Sequence, residues 1–212
     1  MSSASPGKKR AGGRPTNEEA VVRKEKLLDV AQKEFLSRGF TETSVDDIAR
    51  RSGVSKATIY SHFSTKENLF EIASLRSIRD LRRTFRSVPH EGRASEEVLY
   101  EYAQVIYAGA SLRESMDTMR LAVAEAKQFP NVSQGIWHRR YETLAPLVEY
   151  IERLIADGSI RPDEPYEYAF CFSNLVSGHI GILIDGPIRD RDKLEEHLRR
   201  SVEIFLNGVR TR

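Results

Sequence analysis

Residues 44–63, SVDDIARRSGVSKATIYSHF, read as two short helices joined by a tight turn. Ser44 is placed to cap the first, with Asp47 three residues on in the capping-box position. Val45, Ile48 and Ala49 fall on one face at helical spacing. Gly53 stands where a left-handed residue stops a helix, and Val54 plugs the turn. Ser55 is placed to cap the second helix, in which Ile59 and Phe63, one turn apart, face inward. Lys56, Ala57, Thr58, Tyr60 and His62 are left on the outside. Lysine and threonine reach phosphates or base edges and alanine meets a thymine methyl, so this face suits a DNA major groove. The pattern is that of a helix-turn-helix whose second helix reads DNA. Two short helices around a glycine turn also occur in helical proteins that never meet DNA, so the flanking sequence has to decide.

Working outward, Ser64-Thr65-Lys66-Glu67 forms a second capping box and begins another helix. Lys66 in its first turn opposes the helix dipole but suits a phosphate drawn to the same helix end. Upstream, residues 17–38 read as a helix capped by Asn17, with Glu18 and Glu19 in its first turn. Leu27, Leu28, Ala31 and Phe35 make its buried stripe and Gly39 ends it. Residues 1–16, MSSASPGKKRAGGRPT, hold four positive charges and no negative one, which reads as a disordered basic arm. Lys8, Lys9, Arg10 and Arg14 of this arm either touch DNA, with Arg14 in a minor groove, or form a solvated tail.

Downstream, residues 66–88 read as one long helix stopped by Pro89 and Gly92. Its arginines 76, 79, 82, 83 and 86 spread around the axis and read as solvated. Helices follow at 95–112 (capped by Ser95), 115–128, 131–156 (kinked at Pro146), 166–184 and 191–206. No strand pattern appears, so the expected fold is all-α with about nine helices. It divides into a basic arm (1–16), a DNA-binding domain (17–66) and a helical regulatory and dimerisation domain (67–212). The segment 166–184 is apolar on every side, and Leu194, Leu198, Val202, Phe205 and Leu206 stripe the last helix. These two helices are expected to form a four-helix homodimer interface with a two-fold mate, the alternative being burial within the chain alone.

With the motifs set out, residues 24–70 resemble the N-terminal domain of the tetracycline-repressor (TetR) family of bacterial transcription regulators. The resemblance rests on Leu28-x-x-Ala31-x-x-x-Phe35, Gly39-Phe40, Thr43, Ile48-Ala49, Gly53-Val54-Ser55, Thr58-Ile59-Tyr60-x-x-Phe63 and Lys66-Glu67. The remainder is similar to the family in size and helical pattern, and residues 128–130 and 157–161 resemble its AcrR-like branch. The resemblance implies that Thr43 contacts the DNA backbone and that the helix starting at Lys66 moves when a ligand binds. It also implies a pocket among the middle helices. The candidates are Tyr102, Ile106, Met116, Met119, Phe129, Trp137, Tyr141 and Phe172, each of which taken alone reads more readily as an ordinary core residue. The expected partners are a palindromic double-stranded operator, a second copy of the chain and a small apolar or amphipathic effector. In that expectation Ala57, Thr58 and Tyr60 approach bases or nearby phosphates, while Thr43, Ser55, Lys56, His62 and Lys66 hold the backbone. The alternative is a helix-turn-helix regulator controlled by a protein partner and no ligand.

Composition agrees with this reading. Over the 212 residues the net charge is only +2, but residues 1–66 carry 13 Lys and Arg against 8 Asp and Glu, whereas the rest has an acidic excess. The positive excess lies where the helix-turn-helix lies. A single cysteine, Cys171, excludes an internal disulfide and, among apolar neighbours, reads as a buried structural thiol. The N-terminus has no apolar core of a signal peptide, and the apolar run 169–184 is short and interrupted, so a cytoplasmic protein away from membranes is expected. The five histidines have no paired metal spacing, and no phosphate loop, Rossmann glycines or nucleophile elbow is present. No metal, cofactor or enzymatic role is expected.

Overall fold

A computed structural model describes residues 17–74, 81–178 and 180–211. The basic arm with Arg14, the arginines at 76 and 79, and His179 lie outside the described residues. The helices are α1 (Asn17–Glu42), α2 (Val45–Ser52), α3 (Lys56–His62), α4 (Lys66–Ser74), α5 (Leu81–Arg86) and α6 (Ser95–Ser111). They continue as α7 (Arg113–Glu125), α8 (Pro130–Glu142), α9 (Ala145–Ala156), α10 (Pro165–Ser177), α11 (Ile180–Asp185) and α12 (Arg191–Val209). Among the described residues no strand occurs, only one antiparallel bridge between Ile160 and Arg210. No helix there is long and apolar enough to cross a membrane.

The helices outnumber the nine or so expected because two expected helices are each divided. Gly178 adopts φ 59° and ends α10, splitting 166–184 in two. Pro146 does not kink a continuous helix. Lacking an N–H and clashing with the carbonyl four residues back, it sits instead in the first turn of α9, and α8 stops before it. The expected helix 66–88 is occupied at its ends by α4 and α5. Gly39, at φ 83° and ψ 172°, interrupts α1 where expected, after which the chain makes one more turn to Glu42.

Ser44 caps α2 as expected but without its capping box, and two other caps lie one residue from the expected position. The Ser44 hydroxyl accepts from the Asp46 N–H, while Asp47 leaves the capping box to pair with Arg38 (3.3 Å) and Arg50. Thr65, not Ser64, caps α4 by accepting from the Asn68 N–H at 3.1 Å. Ser95 is the first residue of α6, and Ala94 in the cap position makes no side-chain bond.

Two apolar cores result. The first joins α1–α4 around the rings of Phe35, Phe40 and Phe70, whose centroids lie 4.7–6.0 Å apart. Leu69, Phe70 and Ala73 of α4 complete it, and so do Ala122 of α7 and Val132 and Ile136 of α8. The α7–α8 hairpin is therefore packed into the same core as the helix-turn-helix. Beside it the buried Glu34 carboxylate receives Arg51 at 2.5 Å and Arg38 at 3.4 Å, as a buried charge requires.

The second core lies between α5, α6, α9, α10 and α12. It corrects the expected dimer stripe. Leu198, Val202, Phe205 and Leu206 of α12, with Ala169, Phe172 and Val176 of α10, are buried within the chain, Phe172 meeting Phe205 at 5.0 Å. The large apolar residues that α10–α12 leave outside, among those described, are Tyr166, Leu175, Ile180 (73% exposed), Ile184 and Ile204. Cys171 is exposed, not buried. It lies one position before Phe172 and one helical turn before Leu175, and both it and Leu175 face outward.

At one edge of this core the His90 ring packs against both Tyr102 (5.8 Å) and Tyr150 (4.9 Å), whose own rings lie 5.8 Å apart. The Tyr102 hydroxyl donates to the Pro146 carbonyl (3.2 Å) and so accepts from His90 Nε2 (2.7 Å). Burial pushes the His90 pKa below its ordinary 6.5, and the nearby Arg153 and Arg93 push it the same way. The unfolded chain therefore takes up this proton first as pH falls. The resulting stability loss begins near 6.5 and continues down to the folded-state pKa. We expect His90→Gln to lose less in thermal midpoint than the wild type between about pH 7.5 and about pH 5.5. Equal losses in the two proteins would exclude His90 as the titrating group.

Candidate nucleic-acid interface

The turn between α2 and α3 is built by local hydrogen bonds. Gly53, at φ 73°, gives its N–H to the Ala49 carbonyl at 3.0 Å, and Val54 does the same at 3.3 Å. Ser55, in an extended conformation, accepts from the Thr58 N–H at 3.1 Å. Its hydroxyl also lies 2.8 Å from the Thr58 hydroxyl. Ile59 and Phe63 are buried in the first core, which fixes the roll of α3. Ser55, Lys56, Ala57, Thr58, Tyr60, Ser61 and His62 all face outward, as the spacing predicts. Tyr60 is the large residue of this face, 41% exposed on a helix that carries no acidic residue.

Lys56 lies at the start of this face with its ammonium 2.9 Å from Asp46 Oδ2. The hydrogen bond to Asp46 holds the lysine pKa above its ordinary value. Both side chains are at least half exposed, so the pair is weak and a phosphate can replace the carboxylate.

Two of the expected backbone contacts are turned inward. Thr43 is buried, and its hydroxyl lies 2.7 Å from the Gly39 carbonyl and 3.1 Å from that of Glu34. In this structure it ties the end of α1 to the start of α2 and offers no donor to a phosphate. Lys66 is half-buried, its ammonium 4.6 Å from the centre of the Phe40 ring and donating to the Thr41 carbonyl at 3.2 Å. Burial lowers its pKa, against the opposing charges of Glu67, Glu125 and Glu42. Both residues have the right chemistry for phosphate, but free carbonyls at the interrupted end of α1 engage them first.

The two lysines thus separate in a salt titration. Lys56→Ala is expected to reduce the slope of log affinity against log salt by about one unit. Lys66→Ala is expected to leave the slope unchanged and to lower the thermal midpoint. The reverse assignment of slopes would return Lys66 to the phosphate contacts.

Among the described residues, the eight candidate pocket residues divide between the two cores. Tyr102, Ile106, Tyr141 and Phe172 are buried in the second core, with Met116 and Trp137 packed on its side. Met119 and Phe129 pack on the first core instead. Methionine and aromatic content cannot distinguish the two. Met119 and Trp137 do meet, in an open groove of about 560 Å³ between α7 and α8 that Val123, Ala126 and Pro130 also line. Ser133, Gln134 and His138 supply polar groups, and among the described residues no Asp, Glu, Lys or Arg lines it. Ala122 and Met119 line this groove and also belong to or pack on the helix-turn-helix core, so the groove adjoins that core directly.

Among the described residues no group of His, Cys, Asp and Glu is arranged to hold a metal ion.

Comparison with known proteins agrees with this geometry. Residues 27–73 match the family described as bacterial regulatory proteins, tetR family. Residues 97–208, more than half of the chain, match the C-terminal domain of AefR-like transcriptional repressors. The HTH-type transcriptional regulator YvkB of Bacillus subtilis is 25% identical over 92% of this chain and 98% of its own. The HTH-type transcriptional repressor KstR2 of Rhodococcus jostii is 28% identical over 71% and 74% respectively. The solved structure of the flavonoid-responsive regulator FrrA superposes with a TM-score of 0.75 at 26% identity, covering 91% of this chain and 99% of that one.

Proposed function

This chain belongs to the tetR family of bacterial regulatory proteins, and from that premise we propose that it is a homodimeric repressor released from its operator by a small, planar, largely apolar molecule. The observation that carries the DNA-binding half is α3: two inward residues fix its roll, and Lys56, Ala57, Thr58, Tyr60 and His62 face outward without an acidic residue among them. Each subunit lays this face in a major groove, with Lys56 and the hydroxyls of Ser55 and Thr58 on the backbone. Two copies joined through Leu175, Ile180, Ile184 and Ile204 would read a palindrome with half-sites about one helical turn apart. KstR2 is named a repressor, which supports that sense of regulation.

The effector class follows from the α7–α8 groove. It is largely apolar, without a charged lining residue among the described residues, and of small-ligand size. FrrA is described as flavonoid-responsive, which supports a planar aromatic ligand here. A ligand that wedges the hairpin moves Ala122, Val132 and Ile136 inside the reader's own core. To release most of the bound protein it must favour the released state by a few kcal/mol.

The chain supplies its own probe, since Trp137 is its only tryptophan and lines the groove. Planar phenolic compounds should quench or shift Trp137 fluorescence over the same concentration range that releases operator DNA. Release with unchanged Trp137 emission would place the effector elsewhere. Tight operator binding that no compound disturbs would favour control by a protein partner.

A further inference from the structure

We propose that Glu125, at the C-terminal end of α7, is a positioning residue for DNA recognition: it fastens each reader to the regulatory half through the Phe40 amide. This inference rests on the reading above that α3 meets DNA as one of a pair.

The contact spans 85 residues of sequence, with the Phe40 N–H donating to Glu125 Oε1 at 3.1 Å. Gly39 makes room for it. A Cβ there would lie 3.3 Å from the same carboxylate oxygen, and the positive φ would disfavour any other residue. Phe129, just beyond α7, sets its ring edge-on to Phe40 at 4.7 Å. Lys66 presses its ammonium on that ring and donates to the next carbonyl, Thr41. The corner 39–41 is thereby held from α7, from the α7–α8 turn and from α4 together.

The corner in turn sets the reader. Thr43 gives its hydroxyl to the Gly39 carbonyl at 2.7 Å, and Ser44 caps α2 directly after it. The left-handed Gly53 then joins α2 to α3. A carboxylate hydrogen bond to a backbone N–H is among the stronger neutral-donor contacts, because the acceptor is charged. Two readers held this way accept one half-site spacing. Two readers without the tether can roll on α1 and α4 and accept several.

The test uses the full-length protein and a duplex selected by the wild type from random DNA, together with duplexes carrying one or two base pairs added or removed between the half-sites. Wild type should bind the altered duplexes on the order of a hundredfold more weakly, in line with the loss of about one good half-site. Glu125→Ala should reduce that discrimination to less than about tenfold. Glu125→Gln, whose amide oxygen still accepts from the Phe40 N–H, should retain it. Full discrimination kept by Glu125→Ala, or lost equally in Glu125→Gln, would overturn the inference. Should Glu125→Ala not fold, the Phe40 amide decides. It should exchange slowly with solvent in the wild type and in Glu125→Gln, and rapid exchange in the wild type overturns the tether. A wild type that selects no symmetric duplex would overturn the regulator reading together with this inference. Unaltered spacing preference in Glu125→Ala overturns the inference alone.

Discussion

Tyr60→Ala is expected to lower operator affinity by on the order of a hundredfold, a loss of about 3 kcal/mol typical of an aromatic hot spot. The residue stands in the middle of α3, 41% exposed, among small neighbours at 57, 58 and 61. It takes no part in either buried core, so the folded monomer gains little from holding a phenol ring there. For that reason the thermal midpoint should hardly move, as for other surface substitutions within about 0.5 kcal/mol. Tyr60→Phe separates ring from hydroxyl. A hydrogen bond to phosphate or base would make Phe as damaging as Ala, whereas ring packing would leave Phe near wild type. Unchanged affinity of Tyr60→Ala would remove the residue from the DNA contacts.

Phe70→Ala should cost about 3–5 kcal/mol of folding stability, the usual range for emptying a buried aromatic site. Phe70 is fully buried between Phe35 at 4.7 Å and Phe40 at 5.2 Å. The loss is a large part of a typical total of about 5–15 kcal/mol. Because Ala122, Val132 and Ile136 share this core, the regulatory half should lose stability along with the DNA-binding half. A single calorimetric transition shifted downward is the expected result. A split transition, with the regulatory half unchanged, would show that the two halves are not energetically joined through α7 and α8.

The reader was legible because its signals are local. Gly53, Ser55, Ile59 and Phe63 each act on neighbours within four residues, and all four behave as their spacing predicts. The Ser44 cap holds, but Asp47 pairs with Arg38 and Arg50 instead of closing its box, and the caps of α4 and α6 fall at Thr65 and Ala94, one residue from the expected positions. Thr43 and Lys66 illustrate a different limit. Their chemistry fits phosphate, but whether they face solvent depends on how Gly39 leaves the carbonyls at the end of α1. The candidate pocket scattered over two cores because an apolar residue type does not say which helix it meets. The same holds for α12, whose stripe of Leu198, Val202, Phe205 and Leu206 fits an intrachain core as well as a dimer seam. Glu125 gave no sequence signal at all. Its partner lies 85 residues away, and a carboxylate near the end of a helix ordinarily reads as solvated.

The most direct measurement is selection of the wild-type protein on random duplex DNA, followed by a salt titration of the enriched sequence. The expected product is a two-fold-symmetric site with half-sites about 10 base pairs apart, bound at least a thousandfold more tightly than random DNA. Its affinity should fall steeply with salt, with a slope corresponding to several phosphate contacts. An enriched pool that binds no better than random duplex, or an affinity indifferent to salt, would contradict the assignment of α3 as a DNA reader.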